Sequence, residues 1–290
     1  MEARSILHAQ AALGEGALWN PESQQLYWVD IEGRAFHSFD PATQQDVVYT
    51  TGARVGTVVP MHRGCVLLAL QTGIHRLDLG TRQLTLLENP LTDPGLRFND
   101  GKCDPAGRFW VGTFDLHERP HAGALYRFDP DGSLHVMLRE VTNSNGIVWS
   151  LDQRTMYYVD SHTCAVRAFD YDNASGNIEN GRVIVHFDKA AGVPDGMTID
   201  AEGKLWVAVW GSGTIQRFDP STGALLQSID VPAPHTSSCA FGGPDLRTLY
   251  ITTARQGLSE EQMREFPLSG NLFVVEPGVS GVPASFFEGK

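Results

Sequence analysis

The chain has 290 residues and a mass of 31.7 kDa, is 42% hydrophobic and 19% charged, and carries 30 Gly and 16 Pro. Its net charge of −12, with acids and bases mixed along the chain, argues against nucleic acid or an anionic membrane as a partner, since both need a basic face, and leaves room for a bound cation. The start, "MEARSILHAQAALGEG", has no apolar signal-like core, and no apolar run reaches the roughly 18 residues of a membrane span, so a cytoplasmic protein is expected.

Taken in chain order, the predicted elements repeat. The first group is "GEGALWN" (14–20), "LYWVDI" (26–31) and "AFHSFDP" (35–41); the second is "VGTVVPM" (55–61), "CVLLAL" (65–70) and "IHRLDLG" (74–80). The third group is "NDGKCDP" (99–105), "FWVGT" (109–113) and "LYRFDPD" (125–131), the opening Asn-Asp-Gly reading as a turn. "SNGIVWS" (144–150), "MYYVDS" (156–161) and "VRAFDYD" (166–172) make a fourth, and "PDGMTID" (194–200), "LWVAVW" (205–210) and "IQRFDPS" (215–221) a fifth. The sixth is "SSCAFGG" (237–243), "LYITTA" (249–254) and "LFVVEPG" (272–278). Between the last two lies "SEEQMREF" (259–266), where Ser259 and Gln262 have capping-box spacing for one short helix.

Six copies spaced by roughly 40–55 residues have the period of four-stranded propeller blades. Aromatic and β-branched residues fill the strands, Gly, Asp and Pro punctuate them, and helical periodicity is nearly absent. The expectation is an all-β chain folded as a six-bladed β-propeller, one domain over residues 1–290. Tandem α/β repeats would need amphipathic helices that the sequence lacks. The four cysteines, Cys65, Cys103, Cys164 and Cys239, are far apart and form no C-x-x-C pair, which predicts four buried thiols in a reducing compartment.

In a propeller the first strand of each blade lines the central channel, so residues at the starts of these strands gather at one mouth. Those residues are Glu15, Asn99, Asp100, Asn145, Asp195 and Ser238. The connections between second and third strands return to the same mouth, and two of them, 114–122 and 254–270, are long enough to overhang it. Asp-Gly and Asn-Gly are favoured turn pairs, so any one of them alone signals a turn. Here Glu15-Gly16, Asn145-Gly146 and Asp195-Gly196 occupy corresponding positions, and like charges on a narrow axis repel unless a cation or a proton lies between them. Two carboxylates and an amide oxygen suit Ca²⁺, Mg²⁺, Mn²⁺ or Fe²⁺, and Zn²⁺ less well without His or Cys; three protein ligands leave positions open for water and substrate. Rival signatures are missing: no G-x-S-x-G, no H-E-x-x-H, and "GEGALW" lacks the third glycine of a dinucleotide loop. Asp40, Asp78, Asp129, Asp170 and Asp219, which end the third strands, read as turn formers, and Trp110 and Trp206 as packing between blades.

"RFNDGKCDPAGRFWVGT", "SNGIVWSLDQRTMYYVDS", "VPDGMTIDAEGKLWVA" and "CAFGGPDLRTLYITTAR" resemble the regucalcin (senescence marker protein)/gluconolactonase family, and the likeness runs from Gly14 to about Phe273. The resemblance implies a six-bladed propeller that hydrolyses sugar lactones with one divalent metal in its channel. It implies Glu15, Asn145 and Asp195 as the metal ligands, Arg97 and Asn99 of the R-x-N-D motif as substrate contacts, and Asp195 as general base as well. The loop "FDLHERPHAG" (114–123) departs from the family pattern, so His117 and Glu118 stay unassigned and the preferred sugar stays open. Two other readings stand beside the lactonase: a calcium-binding or regulatory propeller without turnover, and a related propeller esterase or phosphotriesterase. Propellers need no partner to close their ring, so a monomer acting on a small-molecule lactone is the default expectation.

Overall fold

The computed structural model describes residues 1–289 and consists of six four-stranded antiparallel sheets arranged as a six-bladed β-propeller. Blade one runs from Gly14 to Thr50, blade two from Val55 to Glu88, blade three from Leu96 to Val141, blade four from Ser144 to His186 and blade five from Val193 to Asp230. Blade six runs from Thr236 to Val275 and takes its outermost strand, Arg4–Leu7, from the other end of the chain, with Arg4 opposite Val274. That antiparallel pairing closes the ring with main-chain hydrogen bonds between the two ends of the chain.

Burial falls from the axis outward. The innermost strands, such as Gly14–Asn20 and Val55–Met61, are buried at every residue, whereas the outermost strand Gln45–Thr50 is mostly exposed. Because adjacent sheets face one another, apolar side chains fill the gaps between blades. Trp110 and Leu125 of blade three meet Ile147 and Met156 of blade four, and Trp206 and Ile215 of blade five meet Cys239 and Leu249 of blade six. The two tryptophans are therefore inter-blade packing, as their sequence position predicts.

The short helix forms at Glu260–Glu265 with its capping box closed: Gln262 N donates to Ser259 Oγ at 3.2 Å and Ser259 N to Gln262 Oε1 at 3.0 Å. Of the acids that end third strands, Asp40, Asp78 and Asp219 accept from backbone N–H groups of the following turns, while Asp129 and Asp170 pair with Arg127 and Arg182. The cysteines form no disulfide; three are buried, but Cys164 sits half-exposed after a short 3₁₀ turn, which corrects the expectation of four buried thiols. Among the described residues no helix is long and apolar enough to cross a membrane.

Candidate active site

Each of the six inner strands breaks its pairing register near its start. The breaks fall at Glu15/Leu18, Val55/Thr57, Phe98/Gly101, Ser144/Ile147, Pro194/Met197 and Thr236/Ser238. A bulge of this kind leaves residues unpaired and re-aims their side chains. The predicted turn at Asn99-Asp100-Gly101 is thus a bulge inside the strand Leu96–Cys103, and the turn itself comes later, at 104–108. Gly16 takes a positive φ of 60°, whereas Gly146 and Gly196 serve close approach. A Cβ on Gly146 would lie 2.7 Å from the Asp195 carbonyl, and one on Gly196 would lie 2.8 Å from the Ser237 carbonyl.

These bulges bring Glu15, Arg97, Asn99, Asn145 and Asp195 to one cavity of about 260 Å³ at the predicted mouth. Asp100 and Ser238, also expected in that ring, are buried and do not line it. Glu15 and Asp195 are each only 5% exposed. Burial, with the charge of Asp100 second, pushes the Glu15 carboxyl up to about 8. Burial, and then the charges of Glu15 and Asp100, hold the Asp195 carboxyl well above the usual range. Asp195 Oδ1 and Asp100 Oδ2 are buried with no hydrogen-bond partner among the described residues. A cation would relieve both the repulsion and the orphaned oxygen, and the all-oxygen donor set of Glu15, Asn145 and Asp195 fits a divalent one.

The neutral members are held in place by a network. Arg97 Nη1 donates to Asn99 Oδ1 at 2.5 Å, and Asn99 Nδ2 donates to the Ser144 carbonyl at 2.6 Å and to Asn145 Oδ1 at 3.0 Å. Asn145 Nδ2 donates to Ser161 Oγ, which donates to the Pro194 carbonyl, both at 2.7 Å. These partners fix the amide orientations, so Asn145 turns its oxygen to the interior and keeps a lone pair free. The Arg97 guanidinium lies 4.8 Å over the Phe114 ring; burial lowers its pKa to about 10, which leaves it charged at neutral pH, and its buried Nε has no acceptor among the described residues.

The 114–122 connection does overhang the mouth. Asp115 anchors it, accepting from His117 N at 2.8 Å and from Arg119 Nε at 2.9 Å. Glu118, in the left-handed region at φ +54°, lines the cavity; His117 and His121 do not. His121 instead is tied to the outer strand of its own blade and its exit, through the Glu140 carbonyl and Thr142 Oγ1. The long connection before blade six's outer strands adds Gln256, and Trp210 and Lys189 add further wall. Phe114, Asn143, Ser161, His162, Lys189, Trp210 and Gln256 are functional candidates that sequence reasoning missed. For most of them the available signal was position in a connection returning to the mouth, which marks a loop without singling out a residue.

Comparison with known proteins places the chain among relatives of the same fold. A family model described as the SMP-30/gluconolactonase/LRE-like region matches residues 13–255. The chain is similar to regucalcin of Danio rerio, 39% identical over 287 residues covering 98% of this chain and 97% of that one. A calcium-binding regucalcin from Agrobacterium tumefaciens superposes with a TM-score of 0.94 at 28% identity, covering 98% and 97% of the two chains. A gluconolactonase from Xanthomonas campestris superposes with a TM-score of 0.73 at 25% identity, covering 94% and 89%.

Proposed function

The chain belongs to the SMP-30/gluconolactonase/LRE-like family, and on that footing we propose that it is a metal-dependent hydrolase that opens an aldonic sugar lactone, a pentono- or hexonolactone, to the sugar acid. The observation that carries this reading is the pair Glu15 and Asp195: two buried carboxylates at one mouth, one with an oxygen that has no partner among the described residues. The gluconolactonase relative supports the reaction class, and the calcium-binding relative supports a divalent cation. We read residues 1–290 as one propeller unit, monomeric and cytoplasmic, with no nucleic-acid or membrane partner.

Glu15, Asn145 and Asp195 would hold the cation, whether Ca²⁺, Mg²⁺, Mn²⁺, Fe²⁺ or, less suited to oxygen ligands, Zn²⁺. When bound, it supplies a Lewis acid toward the lactone carbonyl. Asp195, whose free oxygen faces no competing donor, takes the proton of the attacking water as general base. Arg97 presents planar donors to the substrate's oxygens, steadied from one face by Phe114. Asn99 contacts the substrate from the same wall while tying Arg97 to Asn145, so substrate contact and cation site share one network. The acidic product leaves a protein of net charge −12, which does not retain it by long-range attraction.

Proton release in a pH-stat over a panel of pentono- and hexonolactones, with phosphotriesters as comparators, tests the reading. Each substrate is run on protein as purified, after chelation, and after adding back single divalent metals. The expected outcome is lactone turnover that chelation removes and one metal restores. No rate above spontaneous hydrolysis with any metal would refute the lactonase. Metal binding without turnover would then favour the calcium-binding, regulatory reading that the Agrobacterium relative's name suggests, and turnover of phosphotriesters instead would move the activity to that class.

A further inference from the structure

Aligned on their repeat, the second strands of the blades reach the mouth at one position, held by Ile31, Leu70, Phe114, Ser161, Trp210 and Ala254. The backbone shows the equivalence of the two aromatic members. Phe114 forms an antiparallel bridge to Asn143 at the entrance to blade four, and Trp210 forms one to His235 at the entrance to blade six. Both line the cavity that holds Glu15 and Asp195, so blades three and five, which flank blade four, each give the mouth a ring.

The two rings are engaged differently. Phe114 carries the Arg97 guanidinium. Trp210 is backed by His235, whose ring lies 4.1 Å away with 13° between the planes and whose Nδ1 donates to the Gln256 carbonyl at 2.9 Å. Burial lowers the His235 pKa, so the backing ring is neutral at neutral pH. Trp210 packs in part on the core cluster that includes Leu13 and Ala254, yet it is only half-buried. The other five tryptophans, Trp19, Trp28, Trp110, Trp149 and Trp206, are buried, and none of them lines this cavity. Held by its bridge and its stack, the indole presents the cavity with a rigid apolar surface.

Around that surface the walls are polar. Arg97, Asn99 and Asn145 stand on blades three and four, and Asn143 accepts from Asn99 Nδ2 at 3.3 Å while its own Nδ2 has no acceptor among the described residues. A ligand that answers both kinds of wall has C–H groups on one face and hydroxyls around its edge, within about 260 Å³. One sugar ring has that form. An alkyl chain would leave the amides unmet, and a small inorganic anion would leave the indole bare and face Glu15 and Asp195.

We infer that Trp210 is a specificity-determining residue of this site, the platform on which the C–H face of a single sugar ring packs, with His235 as the positioning residue behind it. The inference rests on the proposed sugar-lactone reading and narrows it: the mouth recognises a ring, and an acyclic ester lacks the face that Trp210 receives.

Pyranoid anhydroglucitol, a sugar ring with no lactone bond to hydrolyse, is the probe, titrated into chelated and into calcium-loaded protein while tryptophan emission and heat are recorded. A saturable emission change is expected in at least one of the two states, since Trp210 is the tryptophan at this cavity. Trp210→Phe should lose the emission change and keep its calorimetric affinity within about threefold, whereas Trp210→Ala should weaken it by about tenfold, the upper end of what one stacked ring contributes. On the best lactone Trp210→Ala should raise KM by about the same factor, with kcat within about twofold. If Trp210→Ala does not fold, the lost emission change and kept affinity of Trp210→Phe carry the test alone. No emission change in either state, or equal affinity in wild type and Trp210→Ala, overturns the platform. Equal loss of affinity in both variants overturns it too, and makes Trp210 a packing residue. Binding of the probe without turnover of any lactone removes the lactonase and leaves the platform, and turnover with an unchanged KM in Trp210→Ala does the reverse.

Discussion

Blades three and five begin alike at one end and differ at the other. In blade three Asp104 Oδ2 accepts from Trp110 Nε1 at 2.9 Å and Arg108 Nε at 2.7 Å; in blade five Asp200 Oδ2 accepts from Trp206 Nε1 at 2.9 Å and Arg217 Nε at 2.8 Å. Both aspartates are wholly buried, and both close their turn through Oδ1, from Arg108 N at 3.0 Å and Lys204 N at 2.9 Å. Five residues earlier, at the bulge, blade three has Asn99 with both ends of its amide engaged, and blade five has Asp195 with an oxygen facing nothing. Both blades keep an engaged aspartate at the far turn, and at the bulge each holds a carboxylate with an unsatisfied oxygen, Asp100 in blade three and Asp195 in blade five, of which only Asp195 lines the cavity. An unsatisfied buried group is destabilising, and where it also lines a cavity it points to a ligand.

Making the two bulges alike should have the largest effect. Asp195→Asn gives blade five the neutral amide of blade three and removes the base, so kcat/KM on the best lactone should fall by about 10²–10⁴-fold. The thermal midpoint of the chelated protein should not fall, because the change removes a buried, repelled carboxylate. Retained activity would take Asp195 out of the mechanism.

Breaking the shared half should do the opposite. Asp200→Ala leaves Arg217, 12% exposed, without its buried partner and strands the Trp206 N–H. Unfolding in urea should show a loss of about 3–5 kcal/mol, as for removal of one member of a buried pair, while kcat/KM per folded molecule stays within about twofold. If activity fell and stability did not, the division between framework and site would be wrong.

Much of this division was legible in the sequence, for a physical reason. A propeller repeats its packing at a fixed period, so Trp110 and Trp206 announce themselves, and placing the strands in register puts Glu15, Asn145 and Asp195 at one level. The bulges were not legible, because glycine permits both a tight turn and a close approach to a neighbouring strand, and Asn-Gly reads the same either way. Nor was the choice of Glu118 over His117: it depends on the Asp115–Arg119 bracket and a left-handed residue at 118, neither of which has a sequence period. Ser161 enters only because it bridges Asn145 to the Pro194 carbonyl, 33 residues away.

Arg97 sharpens the comparison from the substrate side, since it hangs on the engaged Asn99 and not on the free carboxylate. Arg97→Ala should raise KM by about 10–100-fold, the loss of one to two charged hydrogen bonds, and weaken the cation far less, as read by steady-state kinetics beside calorimetric metal titration. Equal losses in both would make Arg97 a prop of the cation site.

The smallest effect expected is a pH dependence confined to the Glu15–Asp195 end. Glu15 is raised from its ordinary 4.5 to about 8, with burial the main cause and Asp100 the next. The folded chain without metal therefore holds a proton that the unfolded chain gives up. The stability this contributes is complete below the ordinary value and is lost as pH climbs from there through about 8. A cation replaces that proton, so its affinity should rise over the same interval. At a hundredfold excess over Kd, a ligand that binds only the folded chain adds about 2.7 kcal/mol, and a tenfold weaker Kd at lower pH takes about half of that away. Thermal melts with and without the best divalent metal should therefore separate more at pH 8 than at pH 5.5, and Glu15→Gln should flatten the dependence. Equal separation at both pH values in the wild type would mean that the cation does not displace a proton from this pair, and would turn attention to Asp100, the buried carboxylate beside it whose Oδ2 has no partner among the described residues.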